Sequence, residues 1–583
     1  MNQLAAPLAL SLDHHQSGRL AEAESGYRAI LIERPDHVDA LHYLGVLLHQ
    51  QGDNEGAAKL LDHALALALD ASACWSNRGL VAGALGDLPH AVECQGRALA
   101  IDPAFSNARN NLGVALHKQG RYAEAIEQLQ IVLAQTPDFL DAQLNLGASL
   151  ARAKRYDDAL ATYRAVIAHH SDNFDARFGE GNALRELARF DESVKSLKKA
   201  LALQPDHFEA SVNLGTTLGL YGRFEEAETA YRRALQLRDD PQIHVCVGAA
   251  IGSQGRFREE EPYYLHALTL DPDHADAQHN LALLNLRRGD FKEGWALHEV
   301  RWRSSKYQPL HIPGIPEWRG ESLKGRTLLL VGEQGHGDQM QFARYATVLA
   351  QMGATVDMQV PENIVELVQS VKGVRRAITS GSTEGYDFWT PSMSVPHHLG
   401  EHVRGVLANT PYMSVSTERI GGWPARVAKL AGKRRKIGIV WAGSPTFGND
   451  RYRSMPFSAW SPLAEVADTA WFSLQKGKAR DQLASADCAR KPYDLTDLID
   501  NFADTAALIE QLDLVMTVDT SVAHLAGALG KPVWVFLPAN YDWRWMLDRD
   551  DSPWYPGMRL FKQTALGDWT QPVAAAKAAL MGV

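Results

Sequence analysis

Residues Asn107–Asp138 read NARNNLGVALHKQGRYAEAIEQLQIVLAQTPD. Apolar residues recur at helical spacing on both sides of Gly120, which predicts two amphipathic helices joined by a tight turn. Pro137 opens the next unit, at a helix start where its missing N–H costs nothing. Shifted by 34 residues, the chain falls on itself: Gly45, Gly79, Gly113, Gly147, Gly181 and Gly215 keep that interval. So do Gly18, Gly52, Gly86, Gly120 and Gly222, with Lys154 and Ala188 filling the two gaps. Pro35, Pro103, Pro137 and Pro205 form a third series, and Ala64, Ala98, Ala200 and Ala234 a fourth. The period slips by one residue near Gly255 and resumes to Gly289, so about nine pairs, the first incomplete, end near Tyr307.

A helical pair of this length and pattern resembles the tetratricopeptide repeat. One pair cannot bury its apolar face alone, so an α-solenoid with a concave groove is expected over residues 1–306. Two positions before the signature glycine, or before Ala282, stand Asn77, Asn111, Asn145, Asn213 and Asn280. Tyr43, Gly179 and Val247 interrupt the series. An amide offers both a donor and an acceptor and so suits a ligand's peptide backbone. The array resembles the asparagine ladder of O-linked N-acetylglucosamine transferases, whose repeats hold protein substrates. That resemblance implies an acceptor protein lying in the groove; the alternative is that Asn-Leu-Gly is common in such repeats.

Composition narrows the class. Of 583 residues, 45% are hydrophobic and 22% charged, which suits a folded chain and excludes general disorder. The formal charge of −10 argues against a nucleic-acid partner and a polybasic membrane clamp. Four scattered cysteines contain no C-x-x-C, which argues against a disulfide framework or cysteine metal site and for a reducing, cytoplasmic setting. No apolar run is long enough for a membrane span. MNQLAAPLALSLDHH has no basic flank and reads as an incomplete first helix rather than a signal peptide.

The second half has a different character. Thirteen of fourteen tryptophans lie at or beyond Trp295, and 17 of 26 prolines lie beyond residue 306. The proline-broken stretch 307–325 serves as connector. After it, apolar runs alternate with helical patterns: TLLLV, then GEQGHGD, then a helix closed by Gly353, then ATVDMQV. A second series runs KIGIVWAG, FSAWSPLAEVA, AWFSLQ, DTAALIEQL, DLVMTV, SVAHLAGALG and KPVWVFL. The expected architecture is α/β, with two Rossmann-like lobes at 326–416 and 433–561. The basic stretch Lys429–Lys436 reads as a solvated linker, and residues 562–583 as a closing helix packed back across the lobes.

Three stretches carry candidate chemistry. In TVDTSVAHLAGALG, Asp519, Thr520 and Ser521 stand at a helix start beyond a strand, where free N–H groups favour a phosphate; His524 lies in the first turn. In WAGSPTFGNDRYRS, Gly443 and Ser444 allow close backbone approach, Arg451 and Arg453 offer guanidinium groups, and Ser454 opens the next helix. In GEQGHGD the spacing is not that of a dinucleotide fingerprint, and Asp338 opens a helix as a candidate general base with Glu333 and His336 as rivals. Gln475 and Lys476 end another strand near the expected ligand. The late aromatic stretch reads as lobe core, with Trp543 and Arg544 near the cleft.

GHGDQMQFARY, WAGSP…NDRYRS and TVDTSVAHLAGALGKPVWVF resemble the heptosyltransferase-like glycosyltransferases of family 9, and repeats followed by two such lobes resemble O-linked N-acetylglucosamine transferase and bacterial flagellin glycosyltransferases. The resemblance implies a GT-B fold, a nucleotide-sugar donor, inversion, and no metal or other cofactor. It also implies an acceptor protein, plausibly flagellin, modified on serine or threonine. By position, Asp338 matches the base, while Ser444 and Arg451–Ser454 match the donor-phosphate loop. Asp519, Thr520, Ser521 and His524 match the donor-binding helix start. His336 stands where the family's first motif usually has leucine, and the phosphate-loop lysine has no clear counterpart. Two other readings remain: a nucleotide-binding scaffold without turnover, and a heptosyltransferase-like enzyme acting on a lipid-linked glycan.

Overall fold

The computed structural model describes residues 5–304, 308–381, 384–400, 409–485 and 488–582. The chain forms two compact units, Met1–Leu237 and Arg238–Val583. The division falls well before the boundary at 306 expected from sequence. Lys306 and Tyr307, where repeats were expected to give way to connector, lie outside the described residues.

The first unit holds seven consecutive helical pairs, from Ala5–Gln16 to Phe224–Leu237. The two glycine series have separate causes. In the turns, Gly52, Gly86, Gly120 and Gly222 adopt φ between 78° and 90°, the left-handed conformation that ends a helix. Lys154 and Ala188, which replace glycine in that series, keep the same backbone at φ 60° and 56°. The other series lies between paired helices. A Cβ on Gly113 would stand 2.8 Å from Leu129, and one on Gly147 would stand 2.6 Å from the Tyr163 ring.

The second unit begins with two further pairs, Pro241–Gly252 with Glu261–Leu270 and Ala275–Arg288 with Phe291–His298. Leu284, Leu286 and Trp295 of the last pair belong to the same buried cluster as Met340, Phe342, Val515 and Trp543, so this pair shares its core with the sheets.

Two parallel sheets follow. In the first, β1 (Thr327–Val331), β2 (Thr355–Gln359), β3 (Val374–Ile378) and β4 (Phe388–Pro391) lie in the order β3-β2-β1-β4. The second comprises β5 (Arg435–Val440), β6 (Thr469–Ser473), β7 (Tyr493–Asp494), β8 (Leu514–Val518), β9 (Val533–Leu537) and β10 (Met558–Lys562). Its order, β7-β6-β5-β8-β9-β10, is that of a doubly wound sheet, which reverses direction between β5 and β8. Strands buried on both faces explain the continuous apolar runs TLLLV and LVMTV.

Several local readings need correction. The helix expected to reach Gly353 is interrupted at Arg344, giving His336–Ala343 and Tyr345–Gln351. The Arg344 side chain donates to the Gln341 and Trp554 carbonyls and lies over the Tyr412 and Tyr555 rings. FSAWSPLAEVA forms a short helix, Phe457–Trp460, and a 3₁₀ turn, Ser461–Glu465, with Pro462 in the turn's first positions. Lys429–Lys436 is no linker: Lys429 stands in the last turn of the helix Trp423–Ala431, and Arg435 and Lys436 begin β5. The last helix, Thr570–Met581, packs on the second lobe. Its Val573 and Ala576 pack with Ile437, Trp441 and Trp460 of the second lobe. Strands β3, β4, β7 and β10 were not read from the sequence.

Candidate functional site

The strand order reverses between β5 and β8, and the loops beyond their carboxyl ends lie where doubly wound sheets receive ligands. The loop after β5 carries Gly443–Ser454. Gly443 N–H donates to Ser454 Oγ at 2.9 Å, and the Arg453 guanidinium meets Asp450 at 3.1 Å while covering the Phe447 ring. A Cβ on Gly443 would stand 2.6 Å from Arg453 Nη2, so glycine is what lets the arginine lie over the backbone. Ser444 and Arg451 are exposed.

The loop after β8 leads into the helix Ser521–Ala528. Its N-cap, Thr520, makes no side-chain bond to the helix. Thr520 Oγ1 instead meets Thr517 Oγ1 at 3.0 Å. The first-turn N–H groups therefore keep their pull on an anion. Asp519 has its pKa pushed up to about 6 by burial and by Asp542, against the pull of Arg453.

The first lobe reaches this place through the helix His336–Ala343. A Cβ on Gly337 would meet Ser521 Cα at 3.3 Å and His524 Cδ2 at 2.7 Å, so the two helix starts are in close contact. Asp338 accepts from its own N-cap, Gly335 N–H, at 2.9 Å and pairs with Arg544 Nη2 at 2.6 Å. Arg544 is almost fully buried and also pairs with Asp542 at 2.8 Å, donates to Gln341 Oε1 and lies over the Trp543 ring. Burial raises the Asp338 pKa, and Arg544 opposes the rise. Burial also works against the charge on Asp542, but Arg544 holds its carboxyl below the ordinary range. Asp338, Asp519, Asp542 and Arg544 thus form a charged cluster spanning both lobes.

Other sequence candidates have structural partners. Glu333 is buried and takes a two-point ion pair from Arg301 at 3.1 and 3.0 Å, plus Met393 N–H at 2.8 Å. His336 stands at the start of its helix, 5.3 Å from the Phe502 ring centre. His524 is buried between helix starts, meets Tyr555 Oη at 3.0 Å and stacks on Trp545. Burial and Arg544 drive its pKa down to about 3, so it is neutral and fills the interface rather than offering a cation to phosphate. Gln475 accepts from Trp441 and Ala442 N–H and donates to the Ala442 and Lys476 carbonyls. Lys476 Nζ donates to the Thr496 and Ile499 carbonyls. Both residues tie strand ends together. Sequence reasoning missed Asp542 and Arg301, although the acid and base two residues apart in DWR were a visible signal for the first.

In the first unit, a groove of about 1130 Å³ is lined by Asn110, Asn145, Asn182 and Asn213, among others. Asn145 donates to Asn110 at 3.1 Å and Asn213 to Asn182 at 2.9 Å. Only two of the five expected ladder residues, Asn145 and Asn213, line it, and Asn110 lines it where Asn111 was expected. Asn77 meets His42 Nε2 at 2.7 Å. Asn280 belongs to the second unit, on the helix Ala275–Arg288. Gly179 interrupts the series because the Tyr163 ring occupies the space its Cβ would need.

Models of the tetratricopeptide repeat match residues 14–78, 76–138, 118–176 and 178–242. The N-terminal pairs are tetratricopeptide repeats. A curated relative, Protein FlbA of Caulobacter vibrioides, is 25% identical over 334 residues, covering 53% of this chain and 55% of its own. The match thus spans about half the relative's length. Among solved structures, a tetratricopeptide repeat protein from Parabacteroides merdae covers 42% of this chain and 98% of its own, at 16% identity and a TM-score of 0.36. MamA from Desulfovibrio magneticus covers 29% of this chain and 95% of its own, at 20% identity and a TM-score of 0.28. YrrB, described as a TPR protein with an unusual peptide-binding site, covers 32% of this chain and 95% of its own, at 23% identity and a TM-score of 0.28. Among the described residues, no helix is long and apolar enough to cross a membrane.

Proposed function

We propose that the chain is a protein O-glycosyltransferase of the GT-B type, in which the tetratricopeptide repeats hold an acceptor polypeptide and the two sheet lobes use a nucleotide-sugar donor. The observation that carries this reading is the pairing at the strand reversal. The helix start at Ser521 and the Arg453 loop follow the two strands that flank the reversal, and Asp338 of the other lobe joins the charged cluster beside them. Donor phosphates rest on the Ser521 N–H groups and on Arg453. The acceptor hydroxyl oxygen bonds to the anomeric carbon as the bond from that carbon to phosphate breaks. Asp338 takes the hydroxyl proton, and the nucleoside diphosphate leaves with the bonding electrons. The helix start and Arg453 stabilise its charge. Burial favours Asp338 as a base because it raises the carboxyl pKa toward neutrality. The choice of flagellin as acceptor rests on the family resemblance alone.

One observation favours the alternative of a nucleotide-binding scaffold without turnover: Asp338 is engaged by Arg544 and must be released before it accepts a proton. A panel of nucleotide sugars, with intact-mass analysis of candidate acceptors produced with and without this protein, separates the two. The enzyme reading requires an acceptor mass increase of one glycosyl unit that is lost in Asp338→Asn. Nucleotide binding with no turnover on any donor leaves the scaffold.

A further inference from the structure

We propose that Asp239, His244 and His266 form a binding site for one zinc-class divalent cation, which fixes the segment joining the two compact units to the first helical pair of the second. The three side chains come from three pieces of chain. Asp239 lies in the joint between the helices Phe224–Leu237 and Pro241–Gly252, His244 in the first turns of the latter, and His266 on Glu261–Leu270. Their ligand atoms all lie within 4.8 Å of one another. His244 Nε2 faces one Asp239 oxygen at 2.6 Å, and His266 Nε2 faces the other at 3.3 Å. The imidazole rings are 4.3 Å apart. A single Asp–His hydrogen bond needs one ring; here two rings from different helices converge on both oxygens of one carboxylate.

The donor set suits the ion. Two neutral imidazoles and one carboxylate are ligands for zinc and neighbouring first-row metals, with bonds of about 2.0–2.2 Å. A shared centre at those lengths needs only small side-chain rotations. His244 has 12% of its side chain exposed, and its Nδ1 has no hydrogen-bond partner among the described residues. Without an ion, Nε2–H donates to the Asp239 carboxylate, and the unpartnered Nδ1 can take up the proton when a cation replaces it at Nε2. Asp239 and His266 are both exposed, which leaves an entry path and a coordination position for water. Arg238, next in the chain to Asp239, is paired with Asp240 at 3.5 Å, and Asp240 caps the helix by accepting from Gln242 and Ile243 N–H.

This site is separate from the charged cluster at the strand reversal, and the proposal does not depend on the reaction class. The test is titration of the full-length protein with Co²⁺, read by its visible absorption, followed by competition with Zn²⁺. One equivalent should bind with the spectrum of a low-coordinate nitrogen and oxygen site, and His244→Ala or His266→Ala should weaken it at least about tenfold. Tryptic cleavage after Arg238 gives a second readout, since Zn²⁺ should slow it in the parent protein and leave His266→Ala unchanged. His266 is half exposed, so its replacement is compatible with folding. Absence of stoichiometric binding, or equal binding by the parent and both histidine variants, overturns the proposal.

Discussion

The seven pairs of the first unit and the sheet lobes of the second solve the problem of close packing in opposite ways. In the repeats, helices approach by leaving side chains out: glycine recurs where Leu129 or Tyr163 from the partner helix needs the space. In the lobes, elements are joined by burying charge: Arg301 with Glu333, and Arg544 with Asp338 and Asp542. The first device is local and repeats with the sequence period, so damage to it stays near one pair. The second reaches from Arg301 to Glu333 and from Arg544 to Asp338 on separate elements, and each member depends on its partner being present.

Tryptophan fluorescence tests the contrast directly, because thirteen of the fourteen tryptophans belong to the second unit. The largest loss is expected for Arg301→Met, which leaves Glu333 buried without its counter-charge and should destabilise the second unit by roughly 3–5 kcal/mol. Arg301→Met combined with Glu333→Gln should recover much of it; equal losses in urea unfolding would break the comparison.

Next is His524. Its folded pKa of about 3 lies below the ordinary value of 6.5, so its contribution is complete above pH 6.5 and is lost as pH falls toward 3. At pH 5 the loss is about 2 kcal/mol. Asp519 acts in the opposite sense. Its carboxyl, raised to about 6, contributes fully below pH 3.8 and loses that contribution as pH rises through 6. Comparison of the parent with His524→Gln at pH 7 and pH 5 isolates the histidine, and the variant should show the weaker acid sensitivity.

Gly147→Ala should cost about 1–2 kcal/mol, overpacking against Tyr163 being partly offset by alanine's helix preference. The loss should appear in far-ultraviolet circular dichroism of the repeats and leave the tryptophan transition unmoved. The smallest effect has the opposite sign. Ala188→Gly should stabilise the first unit by about 1 kcal/mol, because φ 56° is strained for alanine. An unchanged melting curve would mean that the turn relaxes around alanine.

The repeats were legible because each position recurs. Even the gaps at Lys154 and Ala188 were visible, although only the structure shows that they keep the left-handed turn. The parallel strands were legible where they are long and apolar, as in TLLLV and LVMTV. The two-residue strand β7 and the edge strand β10 offered no such run. The helix start at Ser521 and the glycines near Arg453 followed from local chemistry. What local chemistry does not contain is partnership: Asp338 meets Arg544 across 206 positions and Glu333 meets Arg301 across 32, so neither could be inferred from spacing. Gln475 and Lys476 looked available because a strand end usually faces a ligand, and the backbone groups that occupy them lie on other segments.

The buried Arg301 also bears on how this molecule is divided for study. A fragment begun at Arg326, where the sequence turns from repeat to sheet, would remove the guanidinium from Glu333 and the indole of Trp295 from beside Phe342 and Trp543. Such a piece would expose an apolar scar and an orphaned carboxylate, so a failure to fold or bind would say nothing about the sheets themselves. A portion that starts at Arg238 keeps both partners with the sheets.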